Sequence, residues 1–266
     1  MLYFGSFNPI HRGHIALAEY AIEQNLCDDL IMIVSPQNPL KESSELAPEL
    51  ERFTMAELAC GGSKYPDNIK ASVIEFMLPK PSYTINTLQH LTTEYGSAMS
   101  FSILVGGDII EQFEKWHDYQ KILDNYPIFV YPRTGERVEK YLDRITLLQD
   151  APALDVSSTG VRLALMRGED TSNMIAPEVA KHIKEQGFWS EESYFELLSK
   201  KIEDEPENIE HYIERAKWHY KRNGWGEALN DFNRALKLEP DNKVANEMAK
   251  MAREILEFRY TDIYNP

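Results

Sequence analysis

Leu2-Tyr3-Phe4-Gly5-Ser6-Phe7-Asn8-Pro9-Ile10-His11-Arg12-Gly13-His14, with the amphipathic run that follows it to Gln24, is the stretch that decides the fold. Leu2 to Phe4 is short and apolar and is closed by a glycine, the pattern of a buried strand. Between His14 and Gln24, Ile15, Leu17, Ala18, Ala21 and Ile22 fall mainly on one face at helical spacing. Gly5 permits close backbone approach in the connecting loop, and Pro9 stiffens it. His11 and His14 stand three residues apart at the helix start, so both can face one point near its N-terminus. Unpaired N–H groups and positive potential at that end suit a phosphate, and Gly13 keeps side-chain bulk away from such a ligand. The plainer alternative makes His14 a buried first-turn residue and His11 a loop residue bonded to the backbone.

The same alternation continues outward. Leu30 to Val34, Ser102 to Val105, Pro127 to Tyr131 and Ile145 to Leu148 are further short apolar runs, while Pro48 to Cys60 and Tyr83 to Tyr95 show helical patterning. Strand and helix in turn predict an α/β fold with a doubly wound parallel sheet, Rossmann-like in kind, whose ligands bind beyond the carboxyl ends of the strands. From Ser190 onward the pattern is helical alone, with three or four helices and no strand candidate. Glu205-Pro206-Glu207-Asn208 returns as Glu239-Pro240-Asp241-Asn242, a period of 34 residues. Tyr212, Ala216, Tyr220, Gly224, Ala228, Phe232 and Ala235 lie between, at spacings that let two antiparallel helices pack closely. This resembles a tetratricopeptide repeat, one copy over about 207–240, followed by a capping helix from Lys243 to Phe258. The expected division is therefore an α/β domain over 1–190 and a small all-α helical-repeat domain over 191–266. One repeat cannot bury its own face, so it is expected to lean on the main domain, another subunit or a protein partner.

The chain has 266 residues and a net charge of −15. Residues 191–266 hold 17 acidic against 12 basic side chains, and 1–190 hold 26 against 16, so the excess is spread over both parts. Such a surface attracts neither a phosphate backbone nor an anionic lipid face, which argues against nucleic-acid and membrane partners. Two cysteines, Cys27 and Cys60, make no disulfide scaffold and have no metal-ligand spacing. With no basic, apolar leader pattern at Met1 and no apolar run near bilayer length, the expectation is a cytoplasmic protein.

A second anion-binding pattern is Ser157-Ser158-Thr159-Gly160-Val161-Arg162 ahead of a helical stretch to Met166. Ser158 or Thr159 suits the N-cap, and Arg162 lies one turn in, able to reach an anion held there. Gly106-Gly107-Asp108 follows the third strand candidate, placing Asp108 where its carboxylate can accept ribose hydroxyls or simply cap a helix. Trp116 offers a flat apolar face, or is an ordinary core aromatic. Tyr83 and Thr84 open a helix whose N–H groups suit a carboxylate, with Thr84 as a simple helix cap the competing account. Lys41, after the second strand, either meets a substrate phosphate or is a solvated lysine.

His-x-Gly-His after the first strand and Ser-Ser-Thr-x-x-Arg before a late helix resemble the signatures of the nucleotidylyltransferase superfamily, and in particular the bacterial nicotinate mononucleotide adenylyltransferases. Ser35-Pro36-Gln37-Asn38-Pro39-Leu40-Lys41, Pro81-Ser82-Tyr83-Thr84, Gly106-Gly107-Asp108 with Trp116, and Ile175-Ala176-Pro177 through Gln186-Gly187-Phe188 agree in order, so the likeness covers about 1–189. The helical tail lies outside the usual enzyme. The resemblance implies adenylyl transfer from ATP to nicotinate mononucleotide, giving deamido-NAD and pyrophosphate in NAD biosynthesis. It implies ATP binding by Gly5, Ser6, Phe7, His11, His14, Gly106, Asp108, Ser158, Thr159 and Arg162, with His11, His14 and Arg162 stabilising charge. Lys41, Tyr83, Thr84 and Trp116 would hold the acceptor, and Mg²⁺ would travel on the ATP with no dedicated protein cage. Two other readings stay open: an acceptor such as nicotinamide mononucleotide or another phosphorylated compound, or a repeat-based binding module whose catalytic domain is inactive.

Overall fold

Six strands lie side by side, all parallel, in the spatial order β3-β2-β1-β4-β5-β6. They are β1 (Leu2–Gly5), β2 (Leu30–Val34), β3 (Ile69–Ser72), β4 (Ile103–Gly106), β5 (Ile128–Tyr131) and β6 (Thr146–Leu147). The computed structural model describes residues 1–36, 46–132 and 137–264. From β1 the chain first winds outward through β2 to β3, then crosses back to β4 and winds the other way. The reversal puts the carboxyl ends of β1 and β4 beside a crevice, the place where open α/β sheets bind ligands. β1 and β4 are in register at Leu2↔Ile103 and Tyr3↔Leu104, so their terminal glycines, Gly5 and Gly106, both face that crevice.

β3 has no counterpart among the strand candidates of the sequence. Ile-Lys-Ala-Ser is neither an apolar run nor a regular alternation, and only Ile69 of the four is buried. It stands at the sheet's edge, where one neighbour and one covered face suffice. β4, enclosed by strands on both sides, is buried at every residue.

Helices alternate with the strands and follow them: α1 (Arg12–Glu23), α2 (Glu49–Gly61), α3 (Ile74–Met77), α4 (Thr84–Tyr95), α5 (Gly107–Ile110), α6 (Tyr119–Asn125), α7 (Ser158–Met166) and α8 (Pro177–Gln186). One core joins Leu2, Ile33, Ile103, Val105, Ile128 and Val130 of the strands to Ile85 and Leu88 of α4, Ile110 of α5, Phe113, and Ile122 of α6. Together Met1–Arg162 and Asp170–Gly187 form one compact unit; Leu163–Glu169 and Phe188–Pro266 form a second.

The second unit contains α9 (Glu191–Asp204), α10 (Ile209–Lys221), α11 (Trp225–Leu238) and α12 (Lys243–Tyr264). Ser190 caps α9 by accepting the Ser193 N–H at 3.3 Å, and Asn208 caps α10 by accepting the Glu210 N–H at 3.2 Å. Tyr212, Ala216, Ala228, Phe232, Ala235, Ala245 and Ala249 form the core of α10–α12. Arg215 of α10 and Asp231 of α11 make a bidentate pair with both N···O distances at 2.8 Å. Among the described residues no helix is long and apolar enough to cross a membrane.

Candidate active site

The loop between β1 and α1 is built around aromatic contacts. Phe7 has a backbone φ of 44° and is buried, a left-handed conformation that a non-glycine residue holds only when its surroundings impose it. A Cβ on Gly5 would come within 3.0 Å of the Phe7 ring, so glycine is what lets that ring fold back under the strand. Phe7 meets the His14 ring edge-on at 5.1 Å between centroids. His11 occupies the N-cap of α1 and stacks on His14, with centroids 3.6 Å apart and an interplanar angle of 22°.

His14 Nδ1 accepts the backbone N–H of His11 at 3.1 Å. A ring whose Nδ1 accepts is the neutral tautomer protonated at Nε2, so the remaining nitrogen is a hydrogen-bond donor suited to a phosphate oxygen. The first turn of α1 has no acidic side chain, so its positive end is uncancelled. Gly13 makes room within the chain itself. A Cβ there would lie 3.1 Å from both the His11 ring and Val156 Cγ1, so the missing side chain makes room for the histidine.

The N-terminus of α7 abuts this loop. Ser157, not Ser158 or Thr159, supplies the cap: its Oγ accepts the Gly160 N–H at 3.0 Å. Ser158, already in the first turn, donates to the carbonyl of Pro9 at 2.9 Å. Arg162 Nη1 donates to the carbonyl of Asn8 at 2.9 Å, and its Nη2 approaches Thr159 Oγ1 at 3.3 Å. Two segments about 150 residues apart in sequence are thereby joined by direct hydrogen bonds.

Beyond β4, the Asp108 carboxylate folds back over Gly106. A Cβ on Gly106 would stand 2.5 Å from Asp108 Oδ1 and 3.4 Å from the Tyr131 hydroxyl, so the bare glycine here accommodates the chain's own carboxylate. Tyr131 ends β5 and its hydroxyl lies 2.9 Å from that of Tyr3, whose ring is 5.9 Å from His14. This aromatic seam links the ends of β1, β4 and β5.

In the expected acceptor region, Thr84 is the first residue of α4 and Tyr83 its N-cap. Tyr83 stacks on His117 at 4.4 Å and 25°. Trp116, next in sequence to that histidine, tilts against Phe113 at 5.1 Å and packs on the main core. Trp116 is thus a partly buried aromatic of the core margin, as the core reading expects. Under this region lies Glu75, 2% exposed, which accepts from Thr87 Oγ1 at 3.0 Å. Burial pushes its carboxyl above the ordinary value, and hydroxyl bonds from Ser35 and Thr87 oppose the rise. Lys41 lies outside the described residues.

Burial also raises both thiols, that of Cys60 to about 12, which leaves neither suited to act as a nucleophile near neutral pH. Among the described residues no group of three His, Cys, Asp or Glu side chains is placed to hold a metal ion. Four residues that matter here carry no distinct sequence signal: Asn8 as a bracing carbonyl, Arg52, Glu75 and His117. Each looks like a common polar residue until the fold shows what surrounds it.

Comparison with known proteins places this arrangement, a strand-loop-helix turn met by a second helix N-terminus on a doubly wound parallel sheet, in a nucleotidyl-transfer class of protein. Residues 2–164 match the cytidylyltransferase-like family. Over 192 residues the chain is 38% identical to a Flavobacterium johnsoniae protein named "Probable nicotinate-nucleotide adenylyltransferase", covering 71% of this chain and 97% of that one. A Bacteroides fragilis protein of the same name is 39% identical over 186 residues, covering 70% and 90% respectively. The solved structure of Plasmodium falciparum nicotinic acid mononucleotide adenylyltransferase complexed with NaAD superposes with a TM-score of 0.60 at 17% identity, over 71% of this chain and 95% of that one, a likeness of fold. The chain belongs to the cytidylyltransferase-like family and, within it, to the group of the nicotinate-nucleotide adenylyltransferases.

Proposed function

We propose that the first unit transfers the adenylyl group of ATP to nicotinate mononucleotide. A phosphate oxygen of the mononucleotide attacks the α-phosphorus; the bond from that phosphorus to the oxygen bridging to the β-phosphorus breaks. Deamido-NAD forms and pyrophosphate leaves. No protein nucleophile takes part. The residues act by holding the nucleotide and by answering the charge that develops in the transition state.

The observation that carries this reading is the Arg162–Asn8 bond, with Ser158–Pro9 beside it. These bonds tie the start of α7 to the loop that carries the paired imidazoles of His11 and His14, which supports a shared phosphate site. In the proposal His14 Nε2–H and His11 stabilise the α-phosphate, backed by Gly5, Ser6 and Phe7, while Ser158, Thr159 and Arg162 hold the pyrophosphate that departs. Asp108 with Gly106 accepts nucleoside hydroxyls. Tyr83, Thr84, Trp116 and Lys41 receive the acceptor, the α4 N-terminus answering the nicotinate carboxylate. The substrate is written as ATP with its divalent cation, Mg²⁺. One carboxylate and the substrate's own phosphates are the donor set such an ion uses, which fits Asp108 standing beside the cradle. The helical unit is proposed to be a tetratricopeptide-like element; its period of 34 residues and its alanine-lined helix contacts support this.

The test is pyrophosphate release from ATP and Mg²⁺, with nicotinate mononucleotide and nicotinamide mononucleotide run in parallel. Strong preference for the acid is expected. Preference for the amide would overturn the acceptor assignment at Tyr83 and Thr84, and release with neither would overturn the reaction.

A further inference from the structure

Arg52, on the first turn of α2, is fully buried at 0% exposure. Among the described residues its guanidinium donates four hydrogen bonds, each to a backbone carbonyl. Nε reaches Ala47 at 3.0 Å; Nη1 reaches Ser6 and Ser35, both at 2.7 Å; Nη2 reaches Pro36 at 2.7 Å. These acceptors come from three separate segments: the loop after β1, the end of β2, and the entry to α2. None of the four is a carboxylate. Burial works against the charge of this guanidinium, with Glu49 on the same turn partly offsetting it, and an apolar side chain of similar volume would fill the space at lower cost. What an apolar residue cannot do is bind carbonyls from three directions at once. A planar five-donor fork can.

We propose that Arg52 is a positioning residue for adenylyl transfer, holding the loop after β1 in the shape that presents His11 and His14 to the nucleotide. This rests on the function proposed above. Ser6 directly precedes Phe7, whose left-handed backbone must be held by its surroundings. Asn8, next along, is gripped twice: Oδ1 accepts the Ala47 N–H at 2.9 Å and its carbonyl accepts Arg162 Nη1 at 2.9 Å. Pro9 is held by Ser158. The loop is therefore braced from the α7 side by Arg162 and Ser158, and from the α2 side by Arg52 together with Ala47, whose own carbonyl Arg52 fixes. Without Arg52 one side of the brace is gone, and a displacement of about 1 Å at the reacting groups costs on the order of 10²-fold in rate.

The test uses the full chain with Arg52→Lys and Arg52→Ala, and reads kcat, KM, calorimetric ATP affinity and Tm. Lysine keeps the charge but has one nitrogen and cannot span the acceptors, so Arg52→Lys is expected to lose on the order of 10²-fold in kcat, with weaker ATP binding. Added guanidinium ion is expected to restore Arg52→Ala turnover at least about tenfold while leaving the wild type unchanged. A residue that only supports the fold would lower Tm and leave kcat per folded molecule alone. Folded Arg52→Lys within about threefold of the wild type in both kcat and ATP affinity overturns the inference. Should both variants fail to fold, Asn8→Ala, which removes the bond to Ala47, is expected to lower kcat per folded molecule about tenfold with only a modest fall in Tm, and a change in kcat below about twofold overturns the inference. Wild type that binds ATP but turns over neither acceptor overturns the function alone, because loss of ATP affinity in Arg52→Lys still reads the brace. Wild type that binds no ATP overturns both.

Discussion

The α/β unit and the helical unit are held together by different kinds of contact. In the helical unit the work is done by small residues at regular spacing: Ala216, Ala228, Ala235, Ala245 and Ala249 are buried where helices approach, with Tyr212 and Phe232 filling the remaining space. Its bidentate Arg215–Asp231 pair joins side chain to side chain across α10 and α11. In the α/β unit the sheet packs in the ordinary apolar way, but the loops that bear the site are fixed by side chains clamping backbone: Arg52, Arg162 and Ser158 on carbonyls, Asn8 on an N–H. Helices satisfy their own backbone groups and need only complementary surfaces. An irregular loop has no internal ladder, so its carbonyls must find partners from elsewhere in the chain. Periodic contacts give robustness, while clamps give a shape that a ligand can use.

The sharpest attempt to break this contrast is Phe232→Ala. The side chain is fully buried, and its loss should destabilise the helical unit by about 3–5 kcal/mol. Denaturant unfolding measures this, and pyrophosphate release below the transition should stay within about twofold of the wild type. A matching loss of turnover would show that the helical packing also shapes the site. His14→Ala is the mirror experiment. Removing one preorganised donor should lower kcat by ~10²–10³ with Tm preserved; a loss below about threefold would remove His14 from the phosphate site.

Trp116→Ala separates the two halves of the pocket. KM for the acceptor should rise about tenfold while ATP affinity changes far less; because the ring also packs on the core, Tm should fall too. ATP binding suffering first would reverse the division. The smallest effect concerns Glu75. Its folded carboxyl is raised by burial, so the native state holds a proton that the unfolded chain releases near the ordinary value of 4.5. Stability from this site is therefore full in acid and is lost as pH climbs from that value through the raised one. Glu75→Gln keeps the group neutral, so the Tm of the variant relative to the wild type should increase from pH 4 to pH 8. A difference that stays flat or falls would show that Glu75 is ionised in the folded protein.

The sequence made much of this legible, for reasons particular residues display. Leu30 to Val34 is an unbroken apolar run because β2 is enclosed on both faces, and its ends are those expected. β3 was hidden because an edge strand needs no such run. The helix start at His11 to His14 was visible because Gly, Pro and the paired histidines are local features. The cap of α7 fell one residue early, at Ser157, since three candidate hydroxyls stand in a row and only the fold chooses among them. Gly13 and Gly106 were visible as glycines, yet their neighbours, His11 and Asp108, come from the folded site.

What the amino-acid order determined by itself is what is periodic or local: the strand-helix alternation, the period of 34 residues, and the loop with its paired histidines between the first strand and the first helix. Those features rest on interactions between residues a few positions apart, so spacing alone records them. The tertiary structure decided which distant groups meet: Arg162 with Asn8, Tyr3 with Tyr131, His117 with Tyr83, and Arg52 with three segments at once. An arginine on an amphipathic helix looks the same in sequence whether it points to water or into the protein. The packing of α2 against β2 and β3, with the loop after β1 closing over the side chain, buries Arg52, and burial is what turns a common surface cation into a brace for the site.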